Sequence, residues 1–280
     1  MYGTRPTYLS LFSGIGGFEL GIGERGRCAG FSEIDRHALA VYRKHFPDHV
    51  AHGDITAIDA AALPDFDLLC GGFPCQSFSI AGTRRGLDDT RGTLFFEIAR
   101  IARHKQPRLL LLENVKGLLS HDGGRTFAIV LTTLDELGYD LQWQVLNSTD
   151  FGVPQNRERV FIVGHLRGTR RPEVFPLAGT PGQPCRILGR LTAINGHDYL
   201  KRVYAPNGAS PTLPTGAGGN HEGKFLIDNR IRRLTPVECE RLQGFPDHWT
   251  AGISDSGRYK CLGNAVTVPV IAAIARRLLD

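Results

Sequence analysis

The strongest constraint in the chain is an alternation of short, largely apolar runs with stretches whose apolar residues recur at helical spacing. The runs include Tyr8-Leu-Ser-Leu-Phe12, Cys28-Ala-Gly-Phe-Ser32, Phe66-Asp-Leu-Leu-Cys70 and the unbroken Leu109-Leu-Leu-Leu112. Between them lie residues 18–24 and 36–45, then Leu94, Phe95, Ile98, Ile101 and Ala102 on one helical face; Phe127, Val130, Leu131, Leu134 and Leu137 follow on another. A strand apolar on both sides must be covered on both sides, and amphipathic helices between successive strands supply the cover. The rhythm predicts an α/β fold with a Rossmann-like, doubly wound, mostly parallel sheet, completed by strands near residues 141–146 and 159–164.

The pattern breaks near residue 167. From there to 233 the chain is rich in Gly and Pro, as in Pro206-Asn-Gly-Ala-Ser-Pro-Thr-Leu-Pro-Thr-Gly-Ala-Gly-Gly219. Ile187, Leu188, Leu191, Val203, Tyr204 and Phe225-Leu-Ile227 offer apolar anchors that a disordered linker lacks. We therefore expect a small loop-rich domain over 167–233, set into a larger domain formed by 1–166 plus 234–280. Thr235-Pro-Val-Glu238 reads as a capping box with proline at the first helical position, and residues 268–279 read as a last helix that needs a sheet to cover. The 167–233 stretch holds eleven Lys/Arg against four Asp/Glu, whereas the whole chain carries a formal charge of +5. The rest is thus slightly acidic, and a regional excess of positive charge suits a polyanionic partner. A solvated basic loop is the competing reading.

No apolar run approaches the roughly 18 residues of a membrane span, and the first residues lack a signal-peptide core, so no membrane association and a cytoplasmic, nucleoid-associated location are expected. The six cysteines show neither C-x-x-C nor metal-ligand spacing, so reduced thiols and no metal are expected.

After the first strand, Phe12-Ser-Gly-Ile-Gly-Gly-Phe18 opens a helix, the place where such sheets bind nucleotide-like ligands. The dinucleotide fingerprint would need glycine where Glu19 stands, which disfavours a nicotinamide enzyme. Glu33 after the second strand can accept hydrogen bonds from both ribose hydroxyls, and Gly53-Asp54-Ile55 offers a carboxylate and an apolar contact after the third; this spacing suits an adenosine. Cys70 lies within a strand and reads as an inert buried thiol. Cys75, in Gly71-Gly-Phe-Pro-Cys-Gln-Ser-Phe-Ser79, sits on the following loop, where a nucleophile could face a ligand. Glu113 ends the next apolar strand, either as an acid–base group or as a cap of the following turn. Arg157 and Arg159 share one strand face by the period of two, either to grip a carbonyl or phosphate and steady Glu113, or as a solvated edge.

In order, Phe12-Ser-Gly-Ile-Gly-Gly, Gly72-Phe-Pro-Cys-Gln-Ser-Phe-Ser, Arg91-Gly-Thr-Leu-Phe-Phe, Glu113-Asn-Val, Gln155-Asn-Arg-Glu-Arg, Leu242-Gln-Gly-Phe-Pro and Gly263-Asn-Ala-Val resemble the bacterial DNA (cytosine-5)-methyltransferases of the restriction-modification type. The resemblance runs from residue 8 to 279 and is weakest over 167–229, where that family carries its variable target-recognition region. It implies methyl transfer from S-adenosylmethionine, with S-adenosylhomocysteine as product, to C5 of a flipped-out cytosine in double-stranded DNA. It implies Cys75 as nucleophile, Glu113 as partner of the base's N3, and Arg157 and Arg159 as orienting residues. Cofactor contacts are implied for Phe12, Gly14, Ile15, Gly16, Gly17, Glu33, Ile34, Asp54, Ile55, Pro74, Leu94, Asn264 and Val266. Ser79 and Thr212 are the implied DNA contacts, Thr212 within the Ser210-Pro-Thr-Leu213 stretch that resembles the segment supporting the extruded base. A monomer is expected, accompanied by a restriction endonuclease acting on the same site.

Two departures stand out: Ser10 where some members have an acid, and Ala81 in a short recognition context that leaves the groups filling the vacated duplex unassigned. Two other readings fit the fold, a tRNA cytosine-5 methyltransferase and an inactive DNA-binding regulator. The Phe-Pro-Cys context and the separate basic region favour DNA, and the presence of Cys75, Glu113, Arg157 and Asn264 together disfavours an inactive chain.

Overall fold

The computed structural model describes residues 5–74, 94–195, 197–215 and 223–280. In chain order its elements begin with β1 (Thr7–Leu11), α1 (Gly17–Ile22), β2 (Arg27–Ser32), α2 (Arg36–His45), β3 (Leu68–Gly72), α3 (Leu94–Lys105), β4 (Leu109–Val115), α4 (Arg125–Glu136), β5 (Tyr139–Asn147), β6 (Gln155–Asn156) and β7 (Glu158–Leu166). There follow β8 (Ile187–Arg190), α5 (Asp198–Lys201), β9 (Arg202–Tyr204), β10 (Ser210–Pro211), β11 (Lys224–Ile227), β12 (Arg230–Arg232), α6 (Pro236–Gln243), α7 (Asp255–Asn264) and α8 (Val268–Leu279).

The expected alternation builds a six-stranded sheet in the order β2-β1-β3-β4-β7-β5. β1 to β4 run parallel, and β7 runs antiparallel to both its neighbours. The order reverses direction beside β1, so the loops after β1 and β2 meet at the carboxyl edge, where ligands of open α/β sheets bind. One face of the sheet is covered by α3 and α4 around Leu69, Leu110, Leu112, Ile98 and Val130. The other is covered by α1 and α8 around Leu68, Cys70, Leu111, Ile22, Ile271 and Ile274.

Close packing explains two glycines. A Cβ at Gly21 would lie 2.6 Å from Ile271, and one at Gly71 would lie 2.6 Å from the Leu11 carbonyl oxygen. Real side chains do not approach so closely, so α8 can seat on α1 only because position 21 is bare. Residues 255–279 are together long and apolar enough to cross a membrane, but most of this stretch is buried inside the fold.

Edge strand β5 holds the chain that follows the central sheet through two of its side chains. The Gln142 amide donates to the Pro172 carbonyl and accepts from the Val174 and Phe175 N–H groups, and the Gln144 amide brackets Leu177 in the same manner. Two side chains on one face of the strand thus anchor the segment whose Val174 and Phe175 pack into the same core as α1 and α8. They also fix where the chain leaves the central sheet.

The strands β8, β9, β11 and β12 form a second, four-stranded sheet in the order β12-β11-β9-β8, in which Val203, Tyr204 and Phe225 are buried. Much of the positive charge here is paired: Asp198 takes both Arg190 and Arg202, and Arg232 forms a two-point pair with Glu238. The capping box at the start of α6 forms, with the Thr235 hydroxyl accepting from the Glu238 N–H and the Glu238 carboxylate accepting from the Thr235 N–H.

Candidate active site

At the carboxyl edge, the turn after β1 bends through left-handed conformations at Phe12 (φ 53°), Gly14 (φ 57°) and Gly16 (φ 88°). Glu33 stitches it to the loop after β2. One carboxylate oxygen accepts from Gly14 N–H at 2.8 Å, and the other accepts from Ile34 and Asp35 N–H at 2.8 and 2.7 Å. The sequence led us to expect this carboxylate to serve two ribose hydroxyls. Three backbone amides already use it, and since a carboxylate has about four lone-pair directions, one remains, on the oxygen facing Gly14. Glu33 therefore shapes the turn and leaves one acceptor direction open.

Around this carboxylate the other expected contacts are distributed unevenly. Ile34 is 69% exposed, an apolar surface open beside Glu33. Asp54 is exposed and caps the turn at 55–57 through the Thr56 N–H, whereas Ile55 is buried in the main core. On the far side Val266 packs on the start of α1: a Cβ at Gly17 would lie 2.7 Å from its methyl group. Asn264, exposed at the end of α7, precedes it by two residues. The C-terminus does return to the turn after β1. Pro74 is exposed at the end of the described part of the β3 loop, and Leu94 is partly buried at the start of α3. Cys75 and Ser79 lie outside the described residues.

Beside this cleft, Glu113 and Asn114 stand near the end of β4. Glu113 is 9% exposed and its carboxylate meets the Arg159 Nε at 3.1 Å. Burial pushes the Glu113 carboxyl above the usual carboxylate range, while Arg159 and then Arg157 oppose the rise. Gly72 makes the space, since a Cβ there would fall 2.8 Å from the Glu113 Oε2. The Asn114 amide donates to the Phe73 carbonyl at 2.8 Å and so fixes the loop two residues before Cys75. This is a carboxyl group in a protein interior, held by one guanidinium and, through burial, keeping its proton to higher pH than an ordinary carboxylate.

Arg157 does something different from its neighbour. Its Nη2 donates to the Gly263 and Ala265 carbonyls at 3.1 and 2.9 Å, and its Nε and Nη1 find no acceptor among the described residues. Burial and the nearby Arg159 lower its pKa to about 9. Thr212 is tied to the same strand region, its hydroxyl donating to the Asn156 carbonyl at 2.8 Å, and β10 pairs in parallel with β6.

Sequence reasoning missed the amides that lock these parts together. Gln155, fully buried, donates to the Leu242 carbonyl and the Gln243 Oε1 and accepts from the Leu213 N–H. Gln243, also fully buried, donates to the Leu262 and Ala265 carbonyls and accepts from the Thr267 hydroxyl. Both stand inside motifs that were noticed, but a glutamine carries no signal of a partner some ninety residues away.

The fold and the site define a class. The profile of the family described as C-5 cytosine-specific DNA methylase matches residues 7–197 and 192–280. The chain is 45% identical to the type II methyltransferase M.NgoBI of Neisseria gonorrhoeae over 95% of this chain and 90% of that one. It is 41% identical to M1.ScrFI of Lactococcus lactis subsp. cremoris over 97% and 77%. In fold it resembles the Dnmt2 methyltransferase of S. pombe, with a TM-score of 0.75 at 21% identity over 98% of both chains. The chain belongs to the C-5 cytosine-specific DNA methylase family, as an α/β enzyme of methyltransferase fold whose reaction is DNA cytosine-5 methylation.

Proposed function

We propose that the protein transfers a methyl group from S-adenosylmethionine to C5 of a cytosine extruded from a specific double-stranded DNA sequence, through a transient bond between Cys75 and C6 of the base. The observation that carries this reading is the buried Glu113–Arg159 pair at the end of β4, bordering the loop that leads to Cys75.

The residues at the turn after β1 suit the cofactor. Glu33 keeps one acceptor direction for a ribose hydroxyl, Ile34 offers an open apolar face for adenine, and the bare Gly14 leaves room for close backbone approach. Asn264 and Val266 would close the far wall. When bound, S-adenosylmethionine supplies an electrophilic methyl group.

C5 of cytosine is too weak a nucleophile to take that methyl group unaided. Addition of the Cys75 thiolate to C6 forms the S–C6 bond and moves the ring electrons onto N3, where the Glu113 carboxyl delivers its proton; C5 becomes enamine-like. Arg159 holds Glu113 in place and balances its charge once the proton has left. After methylation at C5, the N3 proton returns to Glu113. Loss of the C5 proton and expulsion of the thiolate then restore the ring. None of this is reachable inside a stacked duplex, so the base must leave the helix. Residues 167–233 serve as the target-recognition domain in this reading, and an endonuclease cutting the same site is its expected companion.

Cys75→Ser is the direct test. The variant should bind S-adenosylmethionine like the parent and give no labelled duplex DNA; product at the parental rate sinks the covalent mechanism. A parallel arm with tRNA reports whether the polymer is assigned correctly.

A further inference from the structure

We infer that Trp249 is a positioning residue for the cofactor, holding the turn after β1 from a segment more than two hundred residues away. This rests on the assignment of that turn to S-adenosylmethionine.

The indole Nε1 of Trp249 donates to the Ile15 carbonyl at 2.9 Å in a buried setting. That carbonyl is the last one before the helix: the Gly16 carbonyl accepts the first α1 bond, from Leu20 N–H. Without the indole, the Ile15 oxygen would face an apolar cluster of Val41, Phe245, Leu262 and Val268. An unpaired buried carbonyl is costly, so the turn would shift to find a partner.

The indole is itself held on every side. His45 stacks on it with ring centroids 3.6 Å apart and planes within 3°, and the His45 Nε2 lies 2.8 Å from the Trp249 carbonyl. Phe46 meets it edge-on and also fills the space beside Gly16, where a Cβ would lie 2.4 Å from the Phe46 ring. Below, the fully buried Glu240 accepts from the N–H groups of His248 and Thr250 and pairs with Arg258 at 3.1 Å. The backbone on both sides of Trp249 is thereby fixed to α6 and α7. Since α7 also ends in Asn264, one rigid wall sets both sides of the cofactor cleft.

Trp249→Phe keeps an aromatic ring for the stack and deletes the N–H. Losing one buried hydrogen bond should weaken S-adenosylmethionine and S-adenosylhomocysteine binding by about tenfold and raise the KM for the cofactor alike. The KM for duplex DNA and the kcat at saturating cofactor should stay near parental values. A variant that binds cofactor like the parent overturns the inference, as does one whose cofactor and DNA affinities fall together with its Tm, the mark of a merely structural residue.

A second measurement does not depend on that variant folding. Trp143 and Trp249 are the only tryptophans, so 15N-indole spectra of a Trp143→Phe background report on Trp249 alone. Adding S-adenosylhomocysteine should move the Trp249 N–H resonance and slow its exchange with solvent; an unmoved resonance in protein saturated with ligand overturns the proposal. Failure of the parent to bind either ligand would instead refute the cofactor assignment.

Discussion

Arg157 and Ala265 are joined by a 2.9 Å hydrogen bond from guanidinium to carbonyl, and the same nitrogen reaches Gly263 at 3.1 Å. One buried side chain, on the residue just before β7, therefore brackets Asn264 on both sides. The period of two predicts one strand face for both arginines, but β7 begins at Glu158, so Arg157 lies outside it and only Arg159 pairs with Glu113. Arg157→Lys should keep the charge but lose the planar fork that reaches two carbonyls. The expected cost is about 2 kcal/mol of stability, with weaker cofactor binding, read by chemical denaturation and ligand titration on the same samples. Unchanged cofactor affinity would show that Asn264 does not depend on this brace.

Glu113→Gln preserves shape and removes the titrating proton. Because burial raises the Glu113 pKa, the acid form persists above the ordinary carboxylate range, and the rate that depends on it should fall as pH rises past the folded-state value. The variant should lose about a hundredfold or more in kcat while still binding DNA and cofactor, measured under single-turnover conditions. A parental kcat in the variant removes Glu113 from the chemistry.

Glu19 offers a different pH test. It is buried in the first turn of α1, accepts a hydrogen bond from the Tyr42 hydroxyl at 2.9 Å, and pairs with no cation among the described residues. Burial lifts its pKa from 4.5 to about 7, against the pull of the Ser10 hydroxyl, its own backbone N–H and the Tyr42 hydroxyl. Between those values the folded chain holds a proton that the unfolded chain has released, so stability falls as pH rises through this window. The difference is on the order of 3 kcal/mol once pH exceeds about 7. Glu19→Gln should flatten the stability–pH curve between 5 and 7.5 and exceed the parent at pH 8; parallel curves would exclude the effect.

Gly16→Ala should damage the turn twice, through a left-handed φ of 88° and through a collision 2.4 Å from the Phe46 ring. Adding Phe46→Leu removes the collision together with the ring contact to Trp249, so Phe46→Leu alone is the reference for the double variant. Against that reference the double variant should lose less stability than Gly16→Ala loses against the parent, leaving about 1 kcal/mol of backbone strain, with cofactor affinity still impaired. Thermal melts of the parent and the three variants separate the two contributions.

The expected layers of this fold were legible because each strand and helix states its own burial locally. Leu109-Leu-Leu-Leu112 can only be a strand covered on both faces or a buried helix turn, and the helical periods on either side decide for the strand. The capping box at Thr235 and Glu238 is equally local and forms as read. Glu33 and Glu113 stand at the carboxyl ends of parallel strands and so fall on one edge by a single rule, whereas the arginines reach that edge only because β7 runs antiparallel to β4.

What the sequence determined alone was the alternation, the caps and which residue types stand at the sheet's carboxyl edge. Tertiary structure decided how those residues are employed: Glu33 serves three amides, Arg157 braces the C-terminal wall, and Ile55 turns into the core. Gln155, Gln243, Glu240 and Trp249 act only through partners distant in sequence or hidden in irregular turns. Periodicity encodes burial along one element, but a hydrogen bond between segments hundreds of residues apart depends on how the packed layers set their distance.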